Sequence, residues 1–265
     1  MPRVTVIMAA YNAEGTIIRA IESIQNQTFS DWELIICDDC SSDLTVEIIK
    51  SKTLSDNRIK LVSNSVNMYA AFSRNKCIKQ ASGEYIVIQD SDDYSHHDRI
   101  QICVDYLDNT KDVDFVSTSA FFFDHKTIWG QRVLLNGIRK SDDLIKGLCF
   151  VHAATTFRKR SIDVVEGYRV DKETRRGQDY DLFMRMYASG LSGATLSNKL
   201  YYIYETNNGY KRRKYKYRID EAKLRYKGYK AMNTGFVNYI YILKPLVLGL
   251  VPNKVMFWIK RIIQM

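Results

Sequence analysis

Two hydrophobic periods alternate along the first third of the chain. Val4-Thr5-Val6-Ile7-Met8 is a β-branched run of strand length, and Ile17, Ile21 and Ile24 then recur at helical spacing. Glu33 to Cys37 predicts a second strand. Ser41, Ser42, Asp43 and Thr45 follow as cap-type residues ahead of Val46, Ile48 and Ile49, which predict the next helix. Ile59 to Val62 reads as a third strand, Ala70 to Gln80 as a helix, and Tyr85 to Gln89 as a fourth strand entered through Ser82-Gly83. Repeated βα units of this length predict an α/β fold: a Rossmann-like, mixed and mainly parallel sheet flanked by helices.

Ligands on such sheets bind beyond the carboxyl ends of the strands. That rule gathers Ala9, Ala10, Tyr11 and Asn12 from the first strand, Asp38 and Asp39 from the second, and Asp90, Ser91 and Asp92 from the fourth. The fourth strand ends in Asp90-Ser91-Asp92-Asp93, where three like charges repel each other. A divalent cation relieves the repulsion, because hard cations take oxygen ligands and Mg²⁺ needs only one or two carboxylates plus phosphate oxygens. A solvated turn with an aspartate cap is the alternative. Neither G-x-G-x-x-G nor G-x-x-x-x-G-K-[ST] occurs, so a nucleotide diphosphate would be neutralised by metal and not by a glycine loop.

Composition narrows the class. At 265 residues the chain can bury a sizeable core. Five cysteines, an odd number, fit a reducing compartment, and Cys37-Asp38-Asp39-Cys40 has no second cysteine pair or nearby histidine to make a zinc site. Val4 to Ala10 lacks the basic flank and cleavage pattern of a secretory signal, so a cytoplasmic location is expected. The net charge of +9 is unevenly placed: Lys211 to Met265 holds 14 basic and 2 acidic side chains, which leaves the rest at −3. A nucleic-acid-binding body would carry its own basic face, so no nucleic-acid partner is expected.

The ordered motifs resemble the family 2 inverting glycosyltransferases. They are Val4 to Asn12, Ser23-Ile24-Gln25-Asn26-Gln27-Thr28-Phe29, Glu33 to Asp39, Ser73-Arg74-Asn75, Gly83-Glu84-Tyr85-Ile86, Asp90-Ser91-Asp92-Asp93 and Gln178-Asp179-Tyr180-Asp181-Leu182. The resemblance spans roughly residues 3 to 207. It implies the A-type glycosyltransferase fold, a nucleotide-sugar donor and a divalent metal, Mn²⁺ or Mg²⁺; a base that donates to Asp39 suits the N–H of uracil and so favours a UDP-sugar. Residues 1–210 are then expected to form the catalytic domain, with 1–95 as a nucleotide-binding half and 96–210 as an acceptor half, followed by a basic, amphipathic C-terminal tail over 211–265.

By the same resemblance Tyr11 stacks on the base beside the Ala9 backbone, and Asp39 accepts a hydrogen bond from the base. Arg74 pairs with the carboxylate cluster or a phosphate, Asp90 and Ser91 contact the donor, and Asp92 is the metal ligand. Asp179 is the general base, while Asp181 supports the fold. His152 lines the acceptor side. The residue-level alternatives are a helix cap for Asp39, a structural ion pair for Arg74, a helix-dipole partner for Asp179 and a satisfied core histidine for His152. Two departures from the family stand out: Gln178 replaces the usual acid, and Ile203, Tyr204 and Glu205 occupy a loop that often carries Arg and His.

The tail begins with the basic, aromatic run Lys211-Arg212-Arg213-Lys214-Tyr215-Lys216-Tyr217-Arg218. Phe236 to Leu250 is apolar but broken by Lys244-Pro245, and is shorter than the roughly 20 residues a bilayer span needs. Val255, Trp258, Ile259, Ile262 and Ile263 share a helical face flanked by Lys254, Lys260 and Arg261, which predicts an interfacial helix. The expected partners are thus the inner face of the cytoplasmic membrane and a saccharide acceptor on a polyprenyl pyrophosphate lipid, as in O-antigen or capsule assembly. Packing of the tail on its own domain or in a homodimer is the alternative. For the whole chain, the competing readings are a sugar nucleotidyltransferase and a non-enzymatic membrane-surface binding protein.

Overall fold

A computed structural model describes residues 1–147, 149–205, 215–252 and 255. Strands β1 (Val4–Ala10), β2 (Trp32–Asp38), β3 (Ile59–Ser63) and β4 (Tyr85–Ile88) alternate with helices α1 (Ile17–Gln25), α2 (Thr45–Ser55) and α3 (Tyr69–Gln80). The chain continues through β5 (Tyr94–Ser95), α4 (Arg99–Asn109), β6 (Phe115–Phe123), β7 (Ile128–Arg132), β8 (Gly137–Arg139) and α5 (Ser141–Lys146). A 3₁₀ turn at His152–Ala154 leads into β9 (Thr155–Arg158), α6 (Lys159–Val164), α7 (Gln178–Ala188) and β10 (Gly193–Tyr204). Helices α8 (Lys216–Ala231) and α9 (Lys244–Gly249) flank a second 3₁₀ segment, Phe236–Ile242.

All the strands join one sheet, in the order β3-β2-β1-β4-β9-β6-β10-β5, with β7 on β6 and β8 on β10. The first four are parallel, as helix crossovers require. The second half mixes directions, because β9 runs antiparallel to both β4 and β6 while β10 runs parallel to β6. This is the mixed, helix-flanked sheet that the βα pattern predicts.

The pleat sends alternate side chains to opposite faces. Val4, Val6 and Met8 of β1 pack with Ile17, Ile21 and Ile24 of α1 and with Ile100, Val104 and Leu107 of α4. Ile7 faces the other way, into a core shared with Cys77 of α3, Phe157 of β9, Leu182, Phe183 and Met186 of α7, and Leu224 and Tyr229 of α8. Helix α8, which lies within the basic segment, therefore packs on α7. Its Arg225 donates to the Tyr180 and Tyr229 hydroxyls.

Beneath the sheet's amino end, Glu33 is buried with its charge satisfied. Burial opposes ionisation, but hydrogen bonds from Lys60, Ser82 and Thr5 outweigh it and hold the carboxyl at about 2. Gly83 makes this closure possible: a Cβ there would meet the Thr5 nitrogen at 2.6 Å and the Val4 carbonyl carbon at 2.7 Å. Gly83→Ala is therefore expected to destabilise the fold by about 1–3 kcal/mol through overpacking. A thermal unfolding midpoint equal to wild type would contradict this close approach.

Candidate active site

The site is assembled where β1, β2 and β4 end. After β1 the chain turns sharply, with Asn12 in a left-handed conformation (φ 48°). Hydrogen bonds tie this turn to the loop after β2: the Asn12 N–H donates to Ser41 Oγ, and Asn12 Oδ1 accepts from the Ser42 N–H. Ala9 is half-buried beside it, and the Tyr11 side chain is 52% exposed. An aromatic ring on a pinned turn offers a flat apolar face to a nucleobase.

Asp39 is buried and much occupied. Its Oδ1 accepts from Asn64 Nδ2 and the Met68 N–H, both at 2.8 Å, and Oδ2 accepts from the Tyr69 N–H at 2.7 Å. The carboxylate thus holds the 64–69 segment against the end of β2, leaving one acceptor position from the roughly four a carboxylate offers. The preceding Asp38 spends Oδ2 on the Cys40 and Ser41 N–H groups, while its Oδ1 is buried with no hydrogen-bond partner among the described residues.

The three acids after β4 meet three different fates. Asp90 pairs with Arg74, whose Nη2 lies 2.7 Å from Oδ1. Burial would raise the Asp90 carboxyl, but the Arg74 charge outweighs it and keeps the group below the usual carboxylate range. Asp93 is buried, accepts the Tyr204 N–H at 2.7 Å, and is pushed well up by burial and by its neighbours Asp92 and Asp90. Its work is to tie β10 to the acidic turn. Asp92 lies between them with part of its surface open to solvent. Crowding by protein atoms, and then the Asp90 charge, raise its carboxyl to about 6. Ser91 is half-buried on the same turn.

Arg74 is only 6% exposed, and its Nε and Nη1 are buried without a hydrogen-bond partner among the described residues. Two unspent donors on a buried guanidinium match an oxygen-rich anion such as a phosphate, since leaving them unmade costs free energy. The open carboxylate of Asp92 supplies the hard oxygen that Mg²⁺ or Mn²⁺ takes, with phosphate oxygens and water completing the shell. Among the described residues the one tight group of three metal-type ligands is His96, His97 and Asp98, in the turn before α4. The acidic turn therefore offers a cation few protein ligands and leaves the rest to a substrate.

The second half of the chain brings two more predicted residues toward this corner. Asp179 sits in the first turn of α7, where burial raises its carboxyl while its own and the Tyr180 backbone N–H groups and Arg74 pull it back down. A raised carboxyl is a stronger base. Asp181, by contrast, is buried between Arg169 and Arg185, both at 2.8 Å, and supports the fold. His152 bonds through Nε2 to the Tyr168 hydroxyl at 2.7 Å, and burial, then Arg74, push its pKa down to about 3, so the imidazole is neutral. Arg175 stacks over Tyr69 at 3.7 Å and, with Asn67 and Gln178, borders a cavity of about 310 Å³ that joins the two halves.

Several supporting residues escape sequence reasoning. Arg19 of α1 donates to the Asp92 carbonyl at 2.6 Å and lies over the Phe123 ring at 4.7 Å. Arg99 is fully buried, donates to the Ile88 and Ala153 carbonyls, and stacks on Tyr201, whose hydroxyl accepts the Asp90 N–H. Tyr168 joins His152 to the Arg74 side. Single basic and aromatic residues with distant partners leave no local pattern. Residues 206–214, which include Lys211 to Lys214 of the basic run, lie outside the described residues.

Comparison with known proteins gives the class to which this fold and its carboxylate edge belong, a glycosyltransferase. Residues 5–165 match the family model described as glycosyl transferase family 2. A Bacillus subtilis protein that carries the name glycosyltransferase EpsE is 37% identical over 256 residues, covering 96% of this chain and 92% of its own. An Escherichia coli UDP-Glc:α-D-GlcNAc-diphosphoundecaprenol β-1,3-glucosyltransferase, WfaP, is 30% identical over 198 residues and 72% of each chain. Among solved structures, Staphylococcus aureus TarS superposes with a TM-score of 0.70 at 18% identity, covering 93% of this chain and 71% of that one. The Pyrobaculum calidifontis mannosyltransferase PcManGT, in complex with GDP-Man and Mn²⁺, superposes at 0.64 with 20% identity, covering 95% and 71%. The chain belongs to glycosyl transferase family 2 and has the A-type glycosyltransferase fold.

If Asp92 is the metal ligand, protons and cation compete for it. Mn²⁺ affinity in the presence of UDP is then expected to fall as pH drops through about 6, where the carboxylate protonates. Calorimetric titrations at about pH 7.5 and about pH 5 test this; equal affinities would remove Asp92 from the role.

Proposed function

We propose that this enzyme transfers a hexose or N-acetylhexosamine from a UDP-sugar to a hydroxyl of a lipid-linked saccharide, with inversion, in the assembly of a cell-surface polysaccharide. The observation that carries this reading is Arg74: a buried guanidinium with two unspent donors, between Asp90 and the start of α7. TarS has been solved with UDP and with UDP-GlcNAc, which supports the donor class, and the name of WfaP supports an undecaprenyl-diphosphate-linked acceptor.

In this mechanism Tyr11 stacks on the uracil beside Ala9, and Asp39 accepts from the base with its remaining position. Asp90 and Ser91 contact the donor. Arg74 receives the diphosphate, offering Nε and Nη1 while Nη2 stays on Asp90. Asp92 would hold Mn²⁺ or Mg²⁺, which when bound neutralises charge on the leaving diphosphate. Asp179 takes the proton of the acceptor hydroxyl. The hydroxyl oxygen bonds to the anomeric carbon as the carbon–oxygen bond to the diphosphate breaks, and UDP departs with that electron pair. A single displacement converts an α-linked donor into a β-linked product. His152, neutral beside this site, faces the saccharide side.

Residues 1–210 form the catalytic unit in this reading, and 211–265 hold it on the inner face of the cytoplasmic membrane. No helix among the described residues is long and apolar enough to cross a membrane. Phe236 is 91% and Val237 81% exposed, and Ile240, Leu243, Val247 and Leu250 are also exposed. Such a ridge suits burial among lipid headgroups, and each nearby basic side chain adds about 1 kcal/mol on an anionic surface. Of the interfacial helix predicted further on, only Val255 lies among the described residues.

Asp179→Asn is expected to lower transfer by about 10² to 10⁴ while UDP affinity, measured by calorimetry, stays near wild type. Full turnover in this variant would take the base role away from Asp179. Deleting residues 236–265 should abolish co-sedimentation with anionic liposomes; an unchanged bound fraction would refute the membrane role of the tail.

A further inference from the structure

Tyr168 occupies a joint between the elements that carry Arg74, His152 and Asp179. It follows Gly167, which has a φ of +72° and where a Cβ would come within 2.5 Å of Asn75 Oδ1. That approach lets the Asn75 side chain bond the Tyr168 backbone twice: Nδ2 donates to the carbonyl at 2.7 Å, and Oδ1 accepts the N–H at 2.8 Å. Asn75 is the residue after Arg74 on α3. On the other side Arg185 of α7 donates to the Gly167 and Val165 carbonyls. Tyr168 is thus clamped between the helix of the guanidinium and the helix of the base.

Its side chain reaches both remaining partners. The Arg74 guanidinium lies 5.7 Å from the ring centroid, and the hydroxyl is 2.7 Å from His152 Nε2. The imidazole stands edge-on to the phenol ring, at 5.6 Å and 77°. Tyr168 is 2% exposed. Stability does not ask for this polar pair, because replacing both members of a buried hydrogen bond by apolar groups of similar shape can be nearly neutral.

We propose that Tyr168 is a positioning residue for glycosyl transfer, holding His152 in one tautomer and Arg74 in one orientation before a saccharide binds. The proposal rests on the transferase reading above and deepens it at the sugar side of the site. The phenol, the better donor of the two, gives its hydrogen to Nε2, so the imidazole's own proton stays on Nδ1. A neutral His152 then offers a fixed N–H to a saccharide hydroxyl or ring oxygen. Arg74, packed against the same ring, is held in one orientation with its Nη2 on Asp90. Orientation set in advance in this way lowers the activation barrier without tightening nucleotide binding.

The test uses full-length Tyr168→Phe protein with ¹⁵N-labelled histidine, the His152 signals being identified by their loss in His152→Asn. Long-range ¹H–¹⁵N correlations at neutral pH should show one tautomer for His152 in the wild type and an averaged pattern in Tyr168→Phe. The same variant should lose about tenfold or more in kcat with UDP affinity unchanged within about twofold. The double variant should lose little beyond His152→Asn alone, because the two residues act through one bond. An unchanged tautomer pattern with wild-type kcat overturns the proposal. So does a joint loss of UDP binding and thermal stability with the tautomer unaltered, which would make Tyr168 a packing residue. If the wild type transfers no sugar, the transferase reading fails, while the tautomer comparison still decides whether Tyr168 governs His152.

Discussion

The buried ion pair between Arg74 and Asp90 is the constraint around which the site is arranged. A turn with three carboxylates in four residues repels itself, and each acid needs its own remedy. Asp90 is neutralised by Arg74, and Asp93 is buried against the Tyr204 N–H. Only Asp92 keeps an unsatisfied electrostatic demand, at the point that opens to solvent. The Asp90 bond occupies Nη2, and Arg74 keeps Nε and Nη1 without a hydrogen-bond partner among the described residues. A cation on one side and an anion on the other are the natural complements, and a metal–diphosphate supplies both.

The same arrangement explains why the two halves must meet closely. The acidic turn is held from below by Arg99 and Tyr201 and from the side by Arg19, all anchored in other elements. Helix α7, which carries Asp179, is brought to α3 through Asn75, Gly167 and Arg185, and the halves touch again where Arg175 lies over Tyr69. The contacts of Arg99, Tyr201, Asn75 and Arg185 are made in partial or complete burial, where a misplaced donor is costly. Such contacts fix relative position more sharply than the apolar core, which tolerates small shifts.

Much of the fold is legible in the chain. The β-branched runs and the helical spacing of Ile17, Ile21 and Ile24 locate β1 to β4 and their helices, because hydrophobic period follows directly from which side chains the sheet and helix bury. The later strands are harder. β6 is buried along nearly its whole length and β10 carries register irregularities, so neither shows clean alternation. The acidic turn, Tyr11, Arg74 and Asp179 stand out as residue types in an order. Arg19, Arg99 and Tyr168 do not, because their roles depend on partners tens of residues away: Asp92 for Arg19, Ala153 for Arg99 and Asn75 for Tyr168.

By itself, then, the sequence determined the α/β class, the carboxylate edge and the family, since these follow from local period and from motifs in order. The tertiary structure decided how the charges are shared. It spends Asp39 largely on the 64–69 segment, turns Asp93 inward to β10, leaves Asp92 open, and couples His152 to Tyr168. Those outcomes depend on burial and on distances between side chains remote in the chain, and only the packed sheet with its helices defines either.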